Sequence, residues 1–289
     1  MTSVLFQMHI MWYELDMVEE TLDSLENAIR HSNIPVNVKV CFNKQTYLEK
    51  PLIDNIDERF NNLRNHAVLK NAIIVEKTNS DAFYNVGDWR REVKSEEGYT
   101  VWGESDTLIP DIYFRLLEEM WNIRETLTVP HALSLSSRKM WDSTWTPVEH
   151  VSIQNETLDS VNPLLRCDGH INQAQLDEFN SQYSSSPEIQ RILPPKIDGS
   201  MLAITPNMPQ LIGDEVQICG EDFCAQLVID LYNIPQYHVT NIIKGHNYTH
   251  PRKRTNTEYT RAHAPHMEYK NKSMGLIQNY INTIRKNRG

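Results

Sequence analysis

The sequence is poor in the features that mark secreted, membrane-spanning and thiol-dependent proteins. Its four cysteines, Cys41, Cys167, Cys219 and Cys224, form no Cys-x-x-Cys pair and no dense framework. This fits a reducing compartment and argues against a thiol-ligated zinc. There is no run of about 18 apolar residues, so no membrane-spanning helix is expected. The opening MTSVLFQMHIMWYELD lacks the basic region and small-residue cleavage site of a signal peptide. A cytoplasmic location is the expectation. Internal repeats and long low-complexity tracts are also missing. Positive charge is scarce overall, and a net charge of -10 argues against a general nucleic-acid binder. The deficit is uneven: from His250 to Gly289 nine Lys or Arg against two Glu give +7, which leaves -17 on the first 249 residues. Such an asymmetry suggests that the tail faces an anion; a solvated basic tail is the plainer reading.

What is present is an alternation of apolar strands and amphipathic helices. SVLFQMHI is a short apolar run, and in the segment after it Leu15, Val18, Leu22, Leu25 and Ile29 recur at helical spacing. VNVKVCFN alternates Val36, Val38, Val40 and Phe42 on one face, and AIIVEKTN is a third strand candidate. GYTVWGESD supplies the next strand. PDIYFRLLEEMWNIRE then opens with Pro and Asp where a helix favours them. HALSLSSRKMW, GSMLAITP and QYHVTNIIKG read as later strands, with a helix over GEDFCAQLVIDLYN. This order predicts an α/β fold with a mostly parallel sheet flanked by helices, whose ligands bind beyond the carboxyl ends of the strands. One main domain over residues 1–249 is expected, followed by a basic segment over 250–289. The polar stretch from about 142 to 195, rich in Ser, Asn and Gln, reads as an inserted irregular segment of loops and short helices on the acceptor side.

Two acidic pairs carry the chemistry. Glu104 and Asp106 stand one residue apart at the end of a strand, and alternate residues of an extended segment share a face. Carboxylates suit hard cations such as Mg²⁺ or Mn²⁺, which bridge protein oxygens to a diphosphate. Glu221 and Asp222 open a helix. The helix dipole alone favours acids there, and a carboxylate in reach of a hydroxyl serves as a general base. Trp12, Trp89 and Trp102 read as packing residues, the last two flanking the first acidic pair.

The order of these motifs resembles the GT-A fold glycosyltransferases, in particular the inverting, family-2-like group that uses nucleotide-diphosphate sugars. Asn85, Gly87 and Arg90 match its Asn-x-Gly-x-x-Arg stretch, and Gly98 and Tyr99 match the start of the strand that follows. Glu104, Asp106, Leu108 and Pro110 match its Asp-x-Asp motif, and Gly220, Glu221 and Asp222 match its later Gly-Glu-Asp motif. The resemblance covers roughly residues 3 to 125 and 198 to 250. It implies a Rossmann-like GT-A domain that binds Mn²⁺ or Mg²⁺ and a nucleotide sugar, with a UDP-sugar as donor. Asp222 would be the general base and Glu221 would orient the acceptor. Glu104 and Asp106 would hold the metal, joined by His246 or, behind it, His250. Glu104, Asp106, Asn43, Asn85, Arg90 and Trp102 would line the nucleotide-sugar site. Asn43 stands where many members carry an Asp that grips uracil, the first acid of the metal motif is Glu, and the Arg that commonly follows Gly-Glu-Asp is absent. Arg252, Lys253 and Arg254 are the expected phosphate or acceptor contacts. Compact phage transferases that attach a sugar, including arabinose, to hydroxymethylcytosine in double-stranded DNA share this general style. A basic arm would track the DNA backbone while the target base is extruded. A polysaccharide, lipopolysaccharide or protein acceptor is the rival reading, and a non-catalytic nucleotide-sugar-binding protein is a third.

Overall fold

The structure is a computed structural model that describes residues 3–46, 54–124, 130–141, 144–145, 172–192, 199–216, 220–246 and 266–288. Its first half alternates strand and helix: β1 (Val4–Met11), α1 (Val18–Arg30), β2 (Val36–Asn43), α2 (Ile56–Leu63), α3 (Ala67–Lys70), β3 (Ile73–Lys77), α4 (Val86–Glu92) and β4 (Thr100–Gly103). A two-residue strand β5 (Thr107–Leu108), helix α5 (Tyr113–Arg124), β6 (Ala132–Trp141) and β7 (Thr144–Trp145) follow. The remainder comprises α6 (Gln173–Ser181), β8 (Ile189–Ile192), β9 (Leu202–Ile204), α7 (Glu221–Leu231), β10 (Gln236–His246) and α8 (His266–Arg288).

The strands form one sheet in the order β3-β2-β1-β4-β9-β6-β10-β5, with β8 beside β10 and β7 beside β6. β1 runs parallel to β2 and β4, β2 to β3, and β6 to β10. β9 is antiparallel to β4 and to β6, and β5 is antiparallel to β10. The fold is therefore of the expected α/β class, a mostly parallel sheet flanked by helices.

Hydrophobic alternation sets the layers. On β1, Val4, Phe6, Met8 and Ile10 are fully buried on one face, while Gln7 and His9 are buried on the other, as befits a central strand covered on both sides. Helix α1 buries Val18, Leu22 and Leu25 against this core. It also turns two hydroxyls inward: Thr21 Oγ1 donates to the carbonyl of Ser105 at 2.9 Å, and Ser24 Oγ donates to the carbonyl of Ile109 at 3.1 Å while accepting from its amide at 2.6 Å. The acidic turn after β4 is thus pinned from below.

Two stretches are more regular than their composition suggests. Within the inserted segment, α6 and β8 belong to the fold, because β8 pairs antiparallel with Gln236 to Val239 and Asn180 clamps both the amide and the carbonyl of Ile243, each at 2.9 Å. In the basic segment, α8 buries Ile277, Ile281 and Ile284 in a second core cluster with Val228 and Ile229 of α7. Among the described residues, no helix is long and apolar enough to cross a membrane.

Candidate functional site

Because β9 runs against β4, its start lies at the carboxyl end of the parallel strands. Met201 N donates to the carbonyl of Trp102 at 2.7 Å, so Gly199 and Ser200 stand beside the turn that follows β4. The carboxyl end of β10 reaches the same place, with Gly245 opposite Leu108 and His246 opposite Thr107. Into this junction the fold delivers one buried arginine.

Arg90 owes its position to a helix cap. The Asn85 side chain accepts from the amides of Gly87 and Asp88 at 2.7 and 3.3 Å, and Asp88 Oδ2 accepts back from the Asn85 amide at 3.0 Å, a reciprocal capping box. One turn further on, Arg90 points into the site with its side chain 1% exposed. Its Nη1 donates to Asp222 Oδ1 at 2.5 Å and to Glu221 Oε1 at 3.3 Å. Its Nη2 donates to Glu104 Oε1 at 3.0 Å and to the carbonyl of Gly199 at 3.1 Å. The guanidinium stacks over Trp102, 4.7 Å from the ring centroid. Glu104 of the first acidic pair and both acids of the second, 117 or more residues further on, are therefore joined by a single cation.

The electrostatics follow from this arrangement. Burial would lower the Arg90 pKa, but Asp222, Glu221 and Glu104 outweigh it and the pKa rises, so the guanidinium stays charged. Glu221 is pushed up to about 7, first by burial and then by the neighbouring Asp222 charge, with Arg90 pulling the other way. Asp222 is the more open of the two, its side chain 37% exposed against 14% for Glu221. Gly199 makes room for it: a Cβ there would fall inside contact distance of the Asp222 carboxylate. The start of α7 is set by Gly220, directly before Glu221, at φ +85°, a left-handed conformation suited to glycine. A Cβ at Gly220 would lie 2.9 Å from Ile277 Cδ1 of α8.

The other expected residues are placed as follows. Glu104 is partly exposed and Asp106 is buried. The segment between β4 and β5 is a tight turn and not the extended stretch read from the sequence, because the chain must reverse there to pair β5 with β10. Asn43 is fully buried and its amide is engaged internally. Nδ2 donates to the Tyr84 carbonyl at 2.8 Å and reaches His9 Nε2 at 3.1 Å, while Oδ1 accepts from the Gln45 amide at 2.9 Å. Asn85 is the helix cap already described, and Trp102 is buried beneath Arg90. Trp12 and Trp89 are core residues. The backbone of residue 246 is brought next to the acidic turn by strand register. His250, Arg252, Lys253 and Arg254 lie outside the described residues.

Three contributors escaped the sequence reading. His9 sits at the end of β1 and is held neutral, its pKa pushed down to about 3 by burial and then by the Arg90 charge. Because Asn43 donates to Nε2, the His9 proton resides on Nδ1. Lys244 on β10 is fully buried, and its Nζ donates to the carbonyl of Ser200. Ser200 in turn shares a 2.5 Å hydrogen bond between its Oγ and Thr107 Oγ1. A lysine inside the otherwise apolar run NIIKG was the available signal.

Glu104, Asp106, Glu221 and Asp222 outnumber Arg90 and Lys244, and carboxylate oxygens are the ligands that Mg²⁺ or Mn²⁺ takes. Among the described residues these four acids do not bring three ligand atoms within 4.8 Å of one another. A separate acidic group, Asp23, Glu26 and His66, has ligand atoms within 4.8 Å of one another on the outer side of α1. It is a surface cluster in which His66 Nε2 lies 2.9 Å from Asp23 and Arg30 pairs with Glu26 at 2.8 Å.

No family model matches the sequence, and no curated protein does. Among solved structures, S. aureus TarS residues 1–349 is similar with a TM-score of 0.44 and 13% identity, over 84% of this chain and 60% of that one. A mycobacterial protein gives a TM-score of 0.42 and 11% identity over 91% and 75% of the two chains. UDP-glucose pyrophosphorylase complexed with UDP-glucose gives 0.33 and 6% over 91% and 99%. The chain thus spans about 60% of the length of the TarS fragment. At these scores the likenesses bear on neither donor nor acceptor.

Proposed function

We propose that the protein is a glycosyltransferase that moves a sugar from a nucleotide-diphosphate donor, a UDP-sugar in the first instance, to a hydroxyl acceptor. The observation that carries this reading is the convergence of Glu104, Glu221 and Asp222, acids from both pairs, on Arg90 at the carboxyl ends of the parallel strands, where an open α/β sheet binds its ligands. Asp222, the more exposed carboxylate, takes the acceptor O–H proton. The acceptor oxygen bonds to the anomeric carbon, and the bond from that carbon to the diphosphate oxygen breaks, its electron pair leaving with the nucleoside diphosphate. Glu221 stands beside Asp222 and orients the acceptor, and Arg90 keeps the two acids in one geometry. Glu104 and Asp106, with residue 246 beside them, are the positions that would hold Mn²⁺ or Mg²⁺, which when bound stabilises charge on a departing diphosphate.

The finer reading of the acceptor is 5-hydroxymethylcytosine in double-stranded DNA, supported by the +7 charge of residues 250–289 against the acidic remainder. The test incubates the enzyme with UDP-sugars, including a pentose donor, and with modified DNA, ordinary DNA or glycans, and reads mass changes. Transfer to a glycan alone would remove the DNA acceptor and leave the transferase standing; affinity without turnover would indicate a binding protein. Asp222→Asn is expected to lose about 10² to 10⁴ in turnover while UDP affinity is kept, since an amide keeps the shape of the acid but cannot take the proton.

A further inference from the structure

Arg90 and Lys244 are the two Lys or Arg side chains that are buried among the described residues, at 2% and 0% exposure. An ammonium taken out of water is unfavourable unless its charge and donors are engaged, so a fully buried lysine near the end of β10 calls for an account. Both cations grip the same two-residue segment. Arg90 Nη2 donates to the carbonyl of Gly199, and Lys244 Nζ donates to the carbonyl of Ser200. The segment separates the two acidic pairs. On one side Gly199 lies against the Asp222 carboxylate, so closely that a Cβ would not fit. On the other, Ser200 Oγ is bonded to Thr107, the residue that follows Asp106.

Strand register explains how Lys244 arrives. Gly245 and His246 pair with Leu108 and Thr107, which carries the end of β10 alongside β5. The Asn180 clamp on Ile243 fixes the backbone one residue earlier, next to the irregularity in β10 between Val239 and Ile243. Arg90 links Glu104 to Glu221 and Asp222 through their side chains. Lys244 links them through the backbone that flanks them.

Resting on the transferase reading, we propose that Lys244 is a positioning residue for the reaction: through Ser200 and Thr107 it sets the spacing between the donor-side turn at Asp106 and the base Asp222. It touches neither substrate in this role. Its removal should misalign the two halves of the site and slow the transfer, while each half still binds.

The test uses the full chain and UDP-glucose, UDP-galactose and UDP-arabinose as donors with water as acceptor, alongside calorimetric binding of UDP. Lys244→Met is expected to lower kcat by about 10- to 100-fold, the scale for misplacement remote from the chemistry, with the Kd for UDP changed less than about threefold. Lys244→Arg should recover part of the loss. Thr107→Val, which keeps the side-chain shape and removes the bond to Ser200 Oγ, should shift kcat in the same direction by a smaller factor. It decides the matter if Lys244→Met does not fold: an unchanged kcat in Thr107→Val then overturns the proposal. A folded Lys244→Met with wild-type kcat overturns it as well, as does a loss that lies wholly in UDP affinity. A wild-type protein that binds no UDP and hydrolyses none of the donors overturns the transferase reading, and this proposal with it.

Discussion

Replacing Arg90 by methionine keeps much of the side-chain volume and removes the charge on which three carboxylates converge. The guanidinium makes four donations, to Asp222, Glu221, Glu104 and the Gly199 carbonyl, from a side chain that is 1% exposed. Breaking a buried ion pair from one side costs about 3–5 kcal/mol, because the partner is left uncompensated. The three acids are not equally affected: Asp222 is 37% exposed and recovers much of its hydration, whereas Glu221 at 14% recovers little. The exposed partner adds little beyond the buried one, so the loss should stay near about 3–5 kcal/mol and not reach three times that. At roughly 2–4 °C per kcal/mol for chains of this size, the melting temperature should fall by about 6–20 °C. The effect should also depend on pH. Without the cation, burial favours neutral Glu221 more strongly, so its folded pKa lies further above the unfolded one. The penalty is then absent below about pH 4 and grows as pH rises toward neutrality. Urea unfolding at pH 5 and pH 8 measures this directly, with the larger destabilisation expected at pH 8. A loss under about 1 kcal/mol at both pH values, with turnover retained, would refute the organising role assigned to Arg90.

Glu221→Gln should behave in the opposite sense. With its folded pKa raised to about 7, Glu221 opposes folding increasingly between about pH 4.5 and 7, because its carboxyl is ionised in the unfolded chain there and must take up a proton to fold. The glutamine variant is therefore expected to gain stability relative to the wild type across that window, read as a difference in urea midpoints at pH 5 and pH 8; an equal midpoint difference at both would contradict it. Gly199→Ala places a methyl group against the Asp222 carboxylate and should reduce turnover much more than it reduces the melting temperature, measured on the same preparation.

The fold was legible because its strands carry strong local patterns. β2 coincides with the VNVKVCFN run, and β1, β6 and β10 fall within a residue of their expected limits, since burial on alternating or continuous faces is written in consecutive residues. The acidic pairs were visible as motifs, and Asn85 as the start of one. Their physical roles were less visible. Asn85 acts as a cap that delivers Arg90, and Arg90 joins the carboxylates, so a stretch read as donor contacts organises the site. Asn43 sits at the expected strand end, yet its amide is consumed by His9, Tyr84 and Gln45, partners that only the packed sheet supplies. The same holds for Thr21 and Ser24, whose hydroxyls find acceptors 84 and 85 residues away. The turn at 104–106 was misread as extended because the strand that forces the reversal, β5, is two residues long and shows no periodicity. β8 and α8 were hidden by polar composition, since each buries only part of its surface.

The bonds from Arg90 to Glu221 and Asp222 span 131 and 132 residues. Seen as a sequence of events during synthesis, this means that Arg90 leaves the ribosome long before two of the three acids that hold it, while Glu104 follows only 14 residues later. The β1 to β4 half can collapse on neighbours close in sequence, whereas closure of the site awaits β9, α7 and β10, contacts that come late because their loops are long. A chain halted before residue 221 would have the sheet's first strands, the capped helix of Arg90 and the first acidic pair, but neither acid of the second. Assembly of the site thus reports on completion of the fold.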